Sequence, residues 1–338
     1  MKTALITGVR GQDGAYLSQL LLSKGYEVYG ADRSGDSGLW RFRELGIEGR
    51  VKEVYLDILE LSNIMDVMEK VRPDEIYNFA AQSFVQTSFE QPILTAEINA
   101  IGVARLLEAA RKVCPGARFF QASTAELFGG TGAAPKSEGT DFHPKSPYAV
   151  AKLYAHWLTV NYREAYGLHA SCGILFNHES PMRGEEFLTR KISLAAARIK
   201  KGAQEKVAVG NLEGRRDWGY AVEYVDAMWR MLQQPKAGDY VLATGETHTV
   251  REFIEAAFAA AGLPLRWEGK GVEERGVDAD GKTRVEVSKE FYRPTEVECL
   301  TGDAAKARAA LGWKPATGFK DLAALMVAAD MKRLEEKR

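Results

Sequence analysis

Residues 3–14 read TALITGVRGQDG, an apolar run from Thr3 to Thr7 that breaks into Gly8, Gly11 and Gly14. The pattern predicts a buried strand, a glycine turn and then an amphipathic helix over residues 16–23, which together form the opening unit of a nucleotide-binding sheet. Glycines at this spacing let the backbone turn tightly and approach a pyrophosphate, which the free amides and dipole of the following helix stabilise. Alone they would mark an ordinary turn. A second predicted strand, residues 27–31, ends in Asp32 and Arg33 about twenty residues on, where such sheets hold the adenosine ribose, so dinucleotide binding is expected. An acidic residue there suits the ribose diol of NAD, and an arginine suits the extra phosphate of NADP. Asp32 and Arg33 therefore argue in opposite directions.

Outward from that unit, apolar strands are predicted near residues 51–55, 75–79 and 118–122, with helices around 62–70 and 96–111 between them. Strands apolar throughout and alternating with helices are the pattern of a parallel sheet covered on both faces. A further strand, 169–176, runs into FNHESP, after which the rhythm changes: a helix at 190–199, an excursion at 206–218, a helix at 224–232 and a strand at 240–243. A hairpin is expected around residues 277–287, with Asp280 and Gly281 at its turn. The fold class expected is α/β, a Rossmann-type doubly wound parallel sheet with a smaller C-terminal α/β lobe. Residues 1–176, rejoined by 217–247, would bind the dinucleotide; residues 177–216 and 248–338 would form the substrate lobe.

The chemistry is expected between Arg118 and Trp157. RFFQASTAELFGG is read as a strand ending at Ala122 and releasing Ser123, Thr124 and Glu126 into a turn, and SPYAVAKLYAHW opens a helix after Pro147. On that helix Tyr148 and Lys152 stand four residues apart and share a face. A phenol is a poor base at neutral pH unless positive charge favours its anion, and Lys152 is expected to supply that field together with a nicotinamide ring. By itself Y-x-x-x-K is common. Behind a nucleotide-binding half and a hydroxyl pair it resembles the catalytic pair of short-chain dehydrogenase/reductases. Glu126 could remove a carbon-bound proton beside a newly made ketone, or could simply sit at a helix N-terminus.

Other features exclude more than they assign. With 338 residues and a net charge of −1 the chain can bury a large core but presents no basic surface for nucleic acid or membrane. Cys114, Cys172 and Cys299 are far apart and lack CxxC spacing, so reduced core thiols are expected, with no disulfide framework and no metal site. The N-terminal apolar run is too short for a signal-peptide core, which makes a soluble cytoplasmic protein the expectation. Asp57, followed by Ile58, could accept from an adenine amino group or cap a helix. Lys191, Arg215, Arg216 and Arg293 could neutralise a diphosphate. His178 has no second His or Cys at ligand spacing, so a hydrogen-bonding role is expected. Asp278, Asp280 and Gly281 lack the remaining positions of a calcium loop and fit the hairpin turn.

The segments TGVRGQDGAYL, AAQSFVQTSFEQP, SPYAVAKLYAHW, GILFNHESPMRGEEF, RRDWGYAVEYVDAMW, ATGETHTVREF, WEGKGVEERG, FYRPTEV and LGWKP together resemble the extended short-chain dehydrogenase/reductases, and more narrowly their GDP-mannose 4,6-dehydratase family. The resemblance spans nearly the whole chain. It implies conversion of GDP-mannose to a 4-keto-6-deoxy sugar by internal hydride transfer and loss of water, with Thr124, Glu126, Tyr148 and Lys152 as the catalytic group. It further implies a cofactor site built from Gly8, Gly11, Gln12, Asp13, Arg33, Asp57, Ile58, Ala80, Ala81, Ser83, Tyr148, Lys152, His178 and Arg183. The nucleotide sugar would meet Ser83, Thr124, Glu126, Asn177, Lys191, Arg216, Arg293 and Glu296. Tightly bound, recycled NADP held by Arg33 is the cofactor expected. The family often pairs two arginines where this chain has Asp32 and Arg33, and Ala125 replaces a common serine. A homodimer or homotetramer is implied, and the loop from Arg33 to Arg50 could reach a neighbour.

Overall fold

A computed structural model of the chain describes residues 1–33, 38–129, 132, 134–292 and 299–336. The first half alternates as the sequence pattern requires: β1 (Thr3–Thr7), α1 (Gln12–Ser23), β2 (Glu27–Asp32), α2 (Leu39–Glu44), β3 (Lys52–Tyr55), α3 (Leu61–Val71) and β4 (Glu75–Asn78). Two short helices, α4 (Val85–Glu90) and α5 (Pro92–Ala96), lead through a π-helical turn into α6 (Gly102–Val113), and β5 (Arg118–Thr124), α7 (Pro147–Tyr166) and β6 (Ala170–Leu175) follow. Thereafter the strands are short: β7 (Asn177–Glu179), then helix α8 (Leu188–Lys200), β8 (Val207–Val209), β9 (Arg215–Arg216) and β10 (Trp218–Tyr220). Helix α9 (Ala221–Gln233), β11 (Tyr240–Leu242), β12 (His248–Thr249) and α10 (Val250–Ala260) precede β13 (Arg266–Glu268), β14 (Arg275–Val277), β15 (Thr283–Val287) and β16 (Cys299–Leu300). The C-terminal helices are α11 (Ala305–Leu311) and α12 (Phe319–Glu336).

Seven strands form one parallel sheet in the order β11-β6-β5-β4-β1-β2-β3. The order reverses between β1 and β4, the crevice where open α/β sheets hold ligands. One face of the sheet packs Leu17, Leu21, Val28, Phe120, Tyr224 and Met228 from α1, α9 and the strands. The other packs Leu5, Ile64, Ile76, Leu106 and Phe119 against α3 and α6. Both faces are buried, which is why these strands read as apolar runs without alternation. Strand β11 returns to the sheet after the excursion and pairs with β6, Val241 opposite Ile174.

The remainder builds a separate core on α8, α10 and α12 around Ile192, Phe253, Phe258, Val285 and Met326. Strands β14 and β15 form the expected hairpin, and Gly281 sits at its turn with φ +77° while the Asp278 carboxylate accepts the amides of Asp280 and Lys282. Two boundaries differ from expectation. Helix α1 begins four residues early, at Gln12, because the glycine turn and the helix share residues. Strand β5 runs through Thr124, pairing it with Leu175, so Ser123 and Thr124 lie on the strand and not in the turn after it. Helix α2, within the loop between Arg33 and Arg50, is tied to its own chain by Arg41, which donates to the carbonyls of Met182 at 2.7 Å and Arg10 at 3.0 Å. No helix among the described residues is long and apolar enough to cross a membrane.

Candidate active site

A cavity of about 400 Å³ opens beyond the C-terminal ends of β4, β5 and β6 and is closed by α8, the β8–β9 region and residues 290–291. Strand β5 delivers Thr124 to it, and a single 3₁₀ turn, Ala125–Leu127, brings Glu126 to the same wall, with the Glu126 amide donating to Thr124 Oγ1 at 3.2 Å. Across from them α7 starts on an N-cap, Ser146, whose hydroxyl accepts the Ala149 amide at 3.1 Å, and on Pro147, which cannot donate and is preset for a first turn. The first two turns therefore place Tyr148 and Lys152 on the buried face. The Thr124 side chain lies near enough to the Tyr148 hydroxyl to favour its anion. Lys152 Nζ donates to the Ala122 carbonyl at 3.0 Å, stitching helix to strand one residue before the hydroxyl pair.

Burial dominates the electrostatics of the pair. Burial, helped by the nearby Glu126 carboxylate, pushes the Tyr148 phenol up to about 12 against the opposing influence of the Thr124 side chain and the Arg183 charge. Burial also brings the Lys152 ammonium down to about 8, with the Asp13 carboxylate resisting. Desolvation is thus the largest influence on both groups in the ligand-free protein. Lys152 Nζ points to a carbonyl and lies 5.9 Å from the Tyr148 ring centre, a position from which it orders the strand end.

The GQDG and FNHESP segments are each other's partners. His178 donates from Nδ1 to the Phe176 carbonyl at 2.8 Å and from Nε2 to Asp13 Oδ2 at 2.9 Å, so both nitrogens face acceptors and the ring is an imidazolium. Burial opposes that charge, but Asp13 and the Phe176 carbonyl raise the His178 pKa, and His178 in turn lowers that of the buried Asp13. Gln12 completes the latch, donating to the His178 carbonyl at 3.0 Å and accepting from Ser180 Oγ at 2.7 Å. Of the expected cofactor residues, Asp13, Ala81, Ser83, Tyr148, Lys152, His178 and Arg183 line the cavity. Gly8, Gly11, Gln12 and Ala80 lie beside it at the glycine turn. Arg33 is exposed at the end of β2, and Asp57 and Ile58 follow β3, where Asp57 Oδ1 accepts the Leu59 amide at 3.0 Å.

The turn fits a dinucleotide. Gly8 has φ +65°, and a Cβ there would stand 2.9 Å from the Ala80 amide nitrogen; a Cβ at Gly14 would stand 2.5 Å from Val9 Cα. Gly11, the N-cap of α1, brings no side chain to the helix N-terminus, leaving those amides to a ligand.

On the substrate side Asn177, Lys191 and Arg216 line the same cavity, and Arg293 and Glu296 lie outside the described residues. Arg183 stacks over Phe187 at 3.7 Å and pairs with Glu179 at 3.2 Å, and Lys191 stacks over Phe291 at 3.5 Å. Arg215 points elsewhere, donating to the Thr247 carbonyl at 3.0 Å. The sequence reading missed Glu179, Thr189, Asn211 and Phe291 in the lining. Glu179 stands inside FNHESP and Phe291 opens FYRPTEV, so both could have been inferred from those segments; no local signal marks the other two. His156, Cys172 and Asp239 bring ligand atoms within 4.8 Å of one another, but both Asp239 oxygens are taken by Arg163, at 2.9 and 2.7 Å, so the group is an ion pair with neighbours.

Comparison with known proteins agrees with this geometry. The family model described as GDP-mannose 4,6 dehydratase matches residues 5–326. The GDP-mannose 4,6-dehydratase of Sinorhizobium fredii is 52% identical, the match covering 100% of this chain and 99% of that one. The human GDP-mannose 4,6 dehydratase is 47% identical, covering 97% and 91% respectively. Among solved structures, the Thermus thermophilus UDP-glucose 4-epimerase complexed with NAD superposes with a TM-score of 0.79 at 28% identity, covering 97% of this chain and 98% of that one. The dTDP-glucose 4,6-dehydratase of Bacillus anthracis superposes at 0.81 and 22% identity over 99% and 98%, a likeness of fold.

Proposed function

The chain belongs to the GDP-mannose 4,6-dehydratase family, and from that premise we propose how its own residues divide the reaction. It is a hydro-lyase that converts GDP-mannose to GDP-4-keto-6-deoxymannose with a nicotinamide dinucleotide. When bound, that cofactor accepts the C4 hydride and returns it to C6, so no external oxidant is consumed. Tyr148 takes the proton of the C4 hydroxyl, and Thr124, beside it in the cavity lining, holds that oxygen in line. Lys152 fixes the strand end that carries Thr124, and its charge together with the nicotinamide's favours the phenolate during turnover. Oxidation at C4 acidifies C5. Glu126 removes the C5 proton and passes it to the departing C6 hydroxyl, which leaves as water; Glu126 is then reprotonated from solvent and delivers that proton to C5.

Lys191, Arg216 and Arg293 neutralise the diphosphate, while Asn177, Ser83 and Glu296 contact the nucleotide sugar. His178 and Arg183 lie on the cofactor side. NADP is the cofactor, its extra phosphate held by Arg33. The enzyme acts as a homo-oligomer. The apolar face formed by Val150, Tyr154 and Trp157 of α7 with Ile93 and Leu94 of α5 supports that assembly better than the Arg33–Arg50 loop does. Free cysteines, two of them buried, suit the reducing cytoplasm in which we place it.

One observation carries the mechanism: Glu126 lines the cavity that holds Tyr148 and sits close enough for its charge to raise the phenol. The test is incubation of the purified protein with GDP-mannose and trace NADP+ in D2O. A 4-keto-6-deoxy product carrying deuterium at C5 is expected, and Glu126→Gln should lose it while still binding GDP. A product without deuterium would mean an epimerase or reductase chemistry in which Glu126 takes no part.

A further inference from the structure

Asp217 lies between two cavity residues, Arg216 and Trp218, yet it is fully buried and faces away from the cavity. Its Oδ1 accepts the Thr244 amide at 2.9 Å and the Thr244 hydroxyl at 2.7 Å; its Oδ2 accepts the amides of Gly245 at 2.9 Å and Gly302 at 3.3 Å. All four partners donate, the set that suits a carboxylate, and these bonds oppose the burial that raises its pKa. Strand β9, which carries Arg216, is two residues long and is flanked by two more strands of that length: β12 on one side, His248 opposite Arg216, and β16 on the other, Leu300 opposite Arg216. Strands this short have too few ladder bonds to hold a register alone. The Asp217 carboxylate grips the turn that leads into β12 and the turn that leaves β16, clamping both flanks of the Arg216 strand. Gly302 is there for the same purpose: a Cβ would stand 2.2 Å from Ala243 Cβ, so only glycine lets its amide come this near.

We propose that Asp217 is the positioning residue for the diphosphate end of the nucleotide sugar, acting through the Arg216 strand. It touches no substrate. The inference rests on the reading above that Arg216 meets the diphosphate.

The holoenzyme tests it with Asp217→Asn, which keeps the volume but turns an NH2 group toward two amide donors. The KM for GDP-mannose and the Kd for GDP, read by isothermal titration, should each rise about tenfold or more, the scale of a charge-assisted hydrogen bond. Guanosine, which lacks the phosphates, should bind as before, with the NADP Kd unchanged and kcat within about threefold. Thr244→Val removes one of the four bonds and leaves the three amides in place, so it should shift the GDP Kd two- to threefold in the same direction, the low end of what one hydrogen bond contributes. It decides the matter should Asp217→Asn fail to fold. An unchanged GDP Kd, or equal weakening of GDP, guanosine and NADP, would overturn the proposal. If the wild-type protein bound GDP without turning over GDP-mannose, the reading of function would fall while the GDP comparison still tested Asp217.

Discussion

The two walls of the cavity are built differently. The cofactor wall comes from contiguous stretches: one glycine turn within residues 8–14, and one helix start that presents Tyr148 and Lys152 a turn apart. The substrate wall is assembled from strands of two or three residues, β7 with β10 and β9 between β12 and β16, drawn from positions as far apart as 177 and 300. The reacting groups sit where backbone periodicity alone aligns them. The selecting groups sit where a few buried polar anchors must do so. Substitutions on the first wall should therefore stop chemistry in a folded protein, and substitutions at the anchors of the second should cost stability or affinity first.

The largest effect expected is on the cofactor wall. Tyr148→Phe should lower kcat by about 10²–10⁴-fold with the GDP-mannose KM within a few-fold, measured at steady state, because a positioned acid–base group contributes that much. A comparable loss in Tm would blur the contrast. On the other wall Arg190 and Asp330 form a nearly fully buried ion pair that docks α12 on α8, with Ser193 Oγ donating to the same carboxylate at 2.8 Å. Asp330→Ala leaves a buried guanidinium and should cost about 3–5 kcal/mol in urea unfolding. A loss below about 1 kcal/mol would show that the anchors matter less than the apolar core around Met326.

Gly8→Ala probes the cradle. A positive φ and a Cβ set against the Ala80 amide should cost about 1–3 kcal/mol of stability and weaken binding of the nicotinamide dinucleotide, with GDP affinity unmoved. The smallest effect concerns the latch that joins the two walls. The His178 pKa is raised in the folded state, so its contribution is complete below the unfolded value near 6.5 and fades as pH rises through the folded value. The Asp13 pKa is lowered, so its contribution is present above the unfolded value near 3.9 and is lost as pH falls through the folded one. The stability gap between wild type and Asp13→Asn should thus be on the order of 1–2 kcal/mol at slightly acid pH and narrow above neutrality, followed by thermal unfolding across pH. A gap that widened with pH would contradict the imidazolium.

The parallel sheet was legible because a strand covered on both faces must be apolar along its whole length, and β1, β4 and β5 are. The pairing of Tyr148 with Lys152 was legible for a similar reason, since helical periodicity puts i and i+4 on one face whatever surrounds them. The sense of their charges was not. Whether a phenol rises or falls depends on desolvation, which the sequence around it does not encode, and burial proved the larger effect at both residues. Gln12 and Asp13 were expected at the cofactor, and the fold engages both with the FNHESP segment more than 160 positions away.

What the sequence by itself determined is the alternation of strand and helix, the glycine turn and the cast of reactive side chains, because each rests on periodicities a few residues long. Only the tertiary structure decided which polar residues face the cavity, which are spent holding one another, and where the Arg216 strand lies. Those outcomes depend on hydrogen bonds between segments far apart in the chain, and a two-residue strand has no periodicity from which to read its neighbour.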